Sequence, residues 1–366
     1  MFFKSLVRFL CEKVNWHYVG ISIGLTLVAI ACFVLYNILH DLEPAKVYGA
    51  LRRTPPHALI LAGVFVVAGY FTLTFYDYFA LQTIGKKNIP YRIAALAGFT
   101  SYSIGHNVGF SALSGGAVRY RIYSLYGLTV VDVAKICFIA GLTFWLGNIA
   151  VLGFGMIVEP EAASAVDQLP PYINRAIGAA AIVALALYVL WVGIKPRTVG
   201  VDQGKLNVTL PTCRLTLVQI AIGVVDLMCC AAAMYVLMPA SEHIDFVSLS
   251  VIFICATLLG FASSSPGGLG VFDAAMLVAL LHYHRHAHTP FAKESVLGAL
   301  LLFRLYYYIV PFAISLAILG IREFILDLKP VAEKIADAEI FHTSEPQPKP
   351  RKRRAKLARK KTRTIS

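Results

Sequence analysis

At 366 residues, 58% hydrophobic and only 14% charged, with a mean hydropathy of +0.70, the chain is too apolar for a water-soluble domain. Its formal charge of +13 is not a nucleic-acid signature, because ten Lys/Arg and no acid fall between Lys349 and Arg363, with no aromatic side chains interleaved for base stacking. The composition specifies a polytopic membrane protein.

Residues 1–18, MFFKSLVRFLCEKVNW and its continuation, carry basic residues but no small-residue cleavage site, and read as an interfacial amphipathic lead-in. Six runs are then long enough to cross ~30 Å of hydrocarbon at roughly 20 residues each: 19–39, 58–81, 133–157, 174–194, 214–238 and 295–319. Two further apolar regions are interrupted by glycine, around LSGGAVRYR and SPGGLGVFD. The GxxxG of GISIG, Gly20 to Gly24, marks tight helix packing. Trp16 and Trp191 fall near span ends, where an aromatic belt would place them.

The loop at 158–173 is acidic without Lys or Arg, whereas the next loop, KPRTVGVDQGK, is basic, so the first is expected outside and the second in the cytoplasm. Counting outward puts both termini in the cytoplasm. Lys46, Arg52 and Arg53 run against this assignment, although Asp41 and Glu43 share their segment. The tail, 320–366, turns polybasic and is expected to be disordered from 345, lying against anionic lipid.

The elements form two series of the same order, a membrane repeat at 19–157 and another at 174–319. Starts at 19, 58 and 133 recur at 174, 214 and 295, and Gly115-Gly116 recurs as Gly267-Gly268. Each series has three full crossings plus an interrupted region, re-entrant or doubly crossing. An odd count inverts the second series relative to the first, as in inverted-repeat transporters. The expected fold is therefore an all-α polytopic membrane protein of two inverted repeats, with six full spans and two Gly-interrupted helical regions.

In the first interruption Ser114, Gly115 and Gly116 are expected to break the helix, which restarts from Ala117 carrying Arg119 and Arg121. Helix-start N–H groups and forked guanidinium donors suit a phosphate, and the alternative is that both arginines anchor the cytoplasmic surface. In the second, Pro266 stops the helix and Gly267, Gly268 and Gly270 permit a tight turn. Asp273 then falls in the first turn of the restarted helix. It serves the helix dipole, a cationic group, or proton coupling. Arg304, Asp226 and Asp77 lie within spans, and His106 and Asn107 sit in the first interruption. A mid-membrane charge costs about 2.5–3.5 kcal/mol on insertion scales and so seeks a partner, such as Arg304 with Asp226 or Asp273.

HYHRHAH places His282, His284, His286 and His288 at alternate positions, which points successive pairs to different helix faces and argues against a metal site. The seven cysteines form no CxxC pair and read as small hydrophobes. No P-loop or nucleophile elbow is present, so neither cofactor nor metal is expected.

SYSIGHNVGFSALSGGAVRYRIYSLYGL, LTFWLGN, SPGGLGVFDAAM and LLFRLYYYIVP resemble the transmembrane flippase domain of the lysylphosphatidylglycerol synthases, the multiple peptide resistance factors, over about residues 15–325. The resemblance implies a bacterial inner-membrane protein that moves a phospholipid between leaflets, aminoacylated phosphatidylglycerol being the family's cargo. It puts Arg119, Arg121, Asp273 and Arg304 in the working region. About 47 residues follow Leu319, too few for a synthase domain, so a stand-alone member without aminoacyl transfer is expected. The expected partners are membrane phospholipids and a separate lipid synthase. Two other readings remain open: a membrane subunit of a lipid-modifying transferase, and a non-transporting protein that positions a separate synthase or glycosyltransferase.

Overall fold

The computed structural model describes residues 44–195, 197–199, 207–239, 244–263, 265–287 and 293–325. The run at 19–39, Trp16, the GISIG glycines, His288 and the polybasic tail lie outside the described residues. The chain divides into two compact units, Met1–Gly320 and Ile321–Ser366, and the described part of the second, 321–325, is helical.

In the first unit the helices are α1 (Pro44–Arg53), α2 (Pro56–Thr83), α3 (Tyr91–Val108), α4 (Ser111–Tyr123), α5 (Val130–Val158), α6 (Pro160–Asp167) and α7 (Pro171–Ile194). A two-residue antiparallel pair, β1 (Thr198–Val199) with β2 (Val208–Thr209), precedes α8 (Cys213–Leu237), α9 (Phe246–Ala262) and α10 (Val271–Ala287). Helix α11 (Lys293–Phe303) passes into a π-helical stretch, Arg304–Ile309, and continues as α-helix over 310–320. Among the described residues, six helices are long and apolar enough to cross a membrane: α2, α5, α7, α8, α10 counted from Pro266, and the helix that starts at Lys293. The chain is a polytopic α-helical membrane protein. One of the six was not among the expected full spans, since α10 is the second arm of the second interruption.

Local chemistry sets the helix ends. Pro56 opens α2 where an N–H would be orphaned in any case. At its other end Gly85 takes φ +80°, letting its own N–H reach Gln82 O and the Lys86 N–H reach Leu81 O, the paired bonds of a Schellman stop. Thr129 and Asp132 form a reciprocal capping box at the start of α5, and Lys86 Nζ lies 3.2 Å from Asp132 Oδ2. The two turns are thereby tied together.

The element order repeats. Starts at 56, 91, 111 and 130 (α2, α3, α4, α5) recur at 213, 246, 271 and 293 (α8, α9, α10, α11), displaced by 155 to 163 residues. Each half is a long helix, a two-armed interruption and another long helix. Helices α2 and α8, equivalent in the two halves, pack along each other, with Gly69 facing Cys229 and Cys230.

Between helices in lipid the driving force is close packing and hydrogen bonding, since hydrocarbon is as apolar as leucine. Glycine supplies the close approach. A Cβ on Gly147 of α5 would stand 2.7 Å from the backbone of Gly223 of α8. Backbone cannot yield as a flexible side chain can, so Gly147→Val is expected to force α5 and α8 apart. A loss of about 1–3 kcal/mol or more, read as a lower melting temperature and lower monodisperse yield in detergent, would confirm this, and an unchanged melt would refute the crossing. By contrast α7 is peripheral: only 11% of its most apolar window is buried, and Val183, Leu187 and Ile194 face outward.

One expected break is displaced. Ser114, Gly115 and Gly116 do not interrupt the chain but lie inside α4, and the break is at Gly109 (φ 82°) and Phe110, which takes the left-handed conformation at φ 45°. The glycines serve packing instead: a Cβ at Gly115 would be 3.0 Å from Ser101 O on α3, so α3 and α4 close into a tight hairpin only if that Cβ is missing. Ser114 Oγ donates to Gly109 O at 2.9 Å, which ties the turn. The second break is where Pro266 and its glycines put it: Gly267, Gly268 and Gly270 take φ of 60°, 62° and 79°.

Candidate functional site

The two breaks meet. A cavity of about 260 Å³ lies between them, lined by Gly109 and Phe110 from the first, Ser265 and Gly268 from the second, and His106 and Tyr308 beside them. A second cavity of about 280 Å³ lies on the other side of Gly267, lined by Asn107, Asp273, Arg304 and Leu300. Gly267 and Tyr308 line both. At about 30 Å³ per water, each holds several waters' volume. Irregular backbone inside an apolar bundle survives where it is buried in protein or lines a cavity, and both conditions hold here.

The bundle holds two arginine–carboxylate pairs: Arg304 with Asp273 lines the second cavity, whereas Arg119 with Asp77 lines neither. Arg304 donates from Nε to both oxygens of Asp273, at 2.8 and 3.1 Å, and from Nη2 to Oδ2. Its Nη1 also reaches Gly267 O at 3.1 Å, and Nη2 reaches Gly268 O at 3.4 Å. One guanidinium therefore satisfies the carbonyls of the broken turn and the carboxylate after it. Asp273 also accepts the Gly270 N–H at 3.3 Å, so it caps α10 and pairs with a cation at once.

The other pair is drier. Arg119 Nε donates to both oxygens of Asp77 at 3.0 Å, and Nη2 to Oδ1 at 2.7 Å. Tyr123 O–H adds a bond to Asp77 Oδ2 at 2.8 Å, and the Tyr102 ring lies 4.8 Å from the guanidinium carbon. Asp77 is fully buried, and Arg119 and Arg121 are buried on α4.

Asp226 joins neither arginine. Its Oδ2 accepts from Tyr76 O–H at 3.1 Å and its Oδ1 lies 3.4 Å from Thr72 Oγ1, both on α2. Of the two partners expected for Arg304, the structure pairs it with Asp273 and not with Asp226, because Arg304 reaches across the second break, whereas Asp226 faces the other half of the molecule. His106 packs edge-on against Tyr102 and Phe261 and lines the first cavity. His284 lies on α10 with Nδ1 2.8 Å from Leu280 O.

Asn107 is fully buried. Its Nδ2 donates to Ser103 O at 2.8 Å and Tyr308 O at 3.2 Å, which fixes the amide orientation, since both partners accept only. Its Oδ1 has no hydrogen-bond partner and points toward Gly267 at the second cavity. The Tyr308 carbonyl belongs to the π-helical stretch, as does Tyr307 O, which accepts from Tyr70 O–H at 2.9 Å. Such stretches free carbonyls from the helix ladder.

Tyr123 was not among the expected site residues, although its place four residues after Arg119 on one helix face was a signal that could have found it. Tyr76, Thr72 and Tyr102 left no local signal, because each comes from a different helix than the charge it serves.

Comparison with known proteins places the chain among bacterial membrane proteins. It is 30% identical over 307 residues to the uncharacterized protein slr0712 of Synechocystis sp., covering 83% of this chain and 91% of that protein. It is 28% identical over 295 residues to the inner membrane protein YbhN of Escherichia coli, covering 79% of this chain and 87% of that one. To phosphatidylglycerol lysyltransferase of Bacillus subtilis it is 26% identical over 307 residues, 79% of this chain but 33% of that protein, so the chain spans about a third of the lysyltransferase. No family model matches the chain.

Proposed function

The chain belongs to the family of the Synechocystis protein slr0712 and is related to YbhN and the phosphatidylglycerol lysyltransferases, and from that premise we propose that it is an inner-membrane lipid translocator. It binds a phospholipid head group between its two helix breaks and passes it between leaflets. The observation that carries this reading is the pair of cavities on either side of Gly267, one of them lined by the Arg304–Asp273 pair and by the unpartnered Asn107 carbonyl. A lipid phosphate competes with Asp77 for the Arg119 fork, and an amine on the cargo competes with Arg304 for Asp273. In each exchange the group that binds the cargo keeps a charge-assisted bond, while the displaced partner keeps only its other bonds, the Tyr123 hydroxyl for Asp77 and the Gly267 and Gly268 carbonyls for Arg304. Phosphatidylglycerol and its aminoacylated forms are the first cargo to try, in view of the name of the lysyltransferase relatives. The transfer of lysine itself is not part of this proposal.

Reconstitution in liposomes containing labelled phosphatidylglycerol or aminoacylated phosphatidylglycerol, followed by leaflet accessibility, tests the reading. Movement faster than in empty vesicles is expected. No acceleration for either lipid, with or without an imposed pH gradient or membrane potential, would overturn it. Asn107→Leu removes the free acceptor and is expected to slow movement roughly three- to tenfold, the worth of one hydrogen bond. An unchanged rate would mean that Asn107 serves only the Ser103 and Tyr308 carbonyls.

A further inference from the structure

Of three carboxylates inside the bundle, two meet an arginine: Asp77 with Arg119, and Asp273, in the first turn of α10, with Arg304. The third, Asp226, meets no lysine or arginine among the described residues. It is 4% exposed, so water does not replace the missing cation. The groups that face it are neutral side chains: Thr72, Tyr70 and Tyr76 from α2, Tyr102 from α3, Tyr307 from the π-helical stretch, and Cys229 and Cys230 from its own helix. Among the described residues, no titratable side chain of α5, α7 or α9, which also pack on α8, reaches it. A carboxylate in a membrane interior is neutralised by a cation or by a proton, and here the surroundings supply no cation.

The hydrogen bonds are arranged to receive that proton. Thr72 Oγ1 lies 2.6 Å from Gly69 O, so its single hydrogen is already directed to that carbonyl. The 3.4 Å contact with Asp226 Oδ1 then leaves the threonine oxygen as an acceptor. A protonated Asp226 fills it by donating, while its other oxygen keeps the Tyr76 hydroxyl. An ionised Asp226 can only accept, and must draw on a hydroxyl that is otherwise engaged. Both oxygens are on α8 and both hydroxyls on α2, so the change of donor falls on the contact between the two halves. From there Tyr76 packs on Tyr102 and Tyr102 on His106, which lines the first cavity.

We propose that Asp226 is a proton-binding site of the transport cycle, taking a proton from one aqueous phase and releasing it to the other as the two halves move against each other. The coupling rests on the transport reading above, whereas the proton site does not.

Infrared difference spectra of the purified protein in lipid nanodiscs, recorded as pH is stepped, test the site directly. A carboxylic-acid carbonyl band that comes and goes reversibly is expected in the wild type and is expected to be lost entirely in Asp226→Asn. That variant is isosteric and keeps an acceptor for Tyr76. Tyr76→Phe should keep the band with a displaced midpoint, and it carries the test if Asp226→Asn fails to fold. No reversible band in the wild type, or an unchanged band in Asp226→Asn, would overturn the assignment. In liposomes the ratio of lipid movement with an imposed pH gradient to movement without one is expected to exceed one in the wild type and to fall to one in Asp226→Asn. A ratio of one in the wild type overturns the coupling. A titrating band without any lipid movement leaves the proton site standing and removes the transport reading alone.

Discussion

Arg119→Ala is expected to destabilise the protein by about 3–5 kcal/mol, the usual cost of removing one partner from a buried ion pair. The reason lies less in the lost attraction than in what remains. Asp77 is fully buried and would keep only the Tyr123 hydroxyl against its negative charge. Burying two opposite charges is itself expensive, so the pair need not be better than an apolar one of similar volume. Hence the double variant Asp77→Leu with Arg119→Met is expected to recover most of the melting temperature lost by Arg119→Ala, and to abolish lipid movement. Thermal melts of detergent-solubilised protein check the first part. A melt of Arg119→Ala equal to that of the wild type would mean that Asp77 is hydrated or paired elsewhere, contrary to the geometry.

Arg304→Ala carries the larger functional effect. Arg304 holds Asp273, Gly267 O and Gly268 O together, and the two glycines sit at positive φ with carbonyls turned away from any helix ladder. Each buried acceptor left without a donor costs about 1–3 kcal/mol. The turn is then expected to rearrange, and the cavities on both sides of Gly267 with it. A displacement of about 1 Å in a positioned group is enough for a loss of roughly a hundredfold, and a loss of at least that order in lipid movement is expected. Arg304→Lys separates charge from geometry. An ammonium cannot span the carboxylate and both carbonyls as a planar fork does, so the lysine variant should regain part of the melting temperature and little of the transport. Full transport in Arg304→Lys would show that only the charge matters.

How far the sequence discloses this site depends on where each signal comes from. Pro266 with Gly267, Gly268 and Gly270 is a local instruction, since the turn needs positive φ where glycine stands, and the break falls there. Gly115-Gly116 looks the same in sequence but obeys a tertiary demand, the approach of α4 to Ser101 O. The actual break uses Phe110 in a conformation that its residue type disfavours, which no propensity announces. The need of mid-membrane charges for partners is legible, and Asp273 was one of the two carboxylates open to Arg304. The choice between Asp273 and Asp226 was not legible, because it depends on which face of α8 meets α2. The repeated element order was readable from spacing, although the packing of equivalent helices α2 and α8 on each other was not.

The π-helical stretch has a consequence for the whole last helix. Successive residues of an α-helix turn by about 100°, and a single π turn absorbs one residue without that rotation. Counted with one residue absorbed, the buried Phe312, Ser315, Leu316 and Leu319 fall in angular phase with buried Leu300. Counted as unbroken α-helix, they would be swung by about 100° toward lipid. The stretch from Arg304 to Ile309 thus acts as a phase correction between two halves of one rod. If it were to migrate or straighten, residues 310–320 would turn together about the helix axis, converting a local change beside Arg304 into a change of the face that this segment presents.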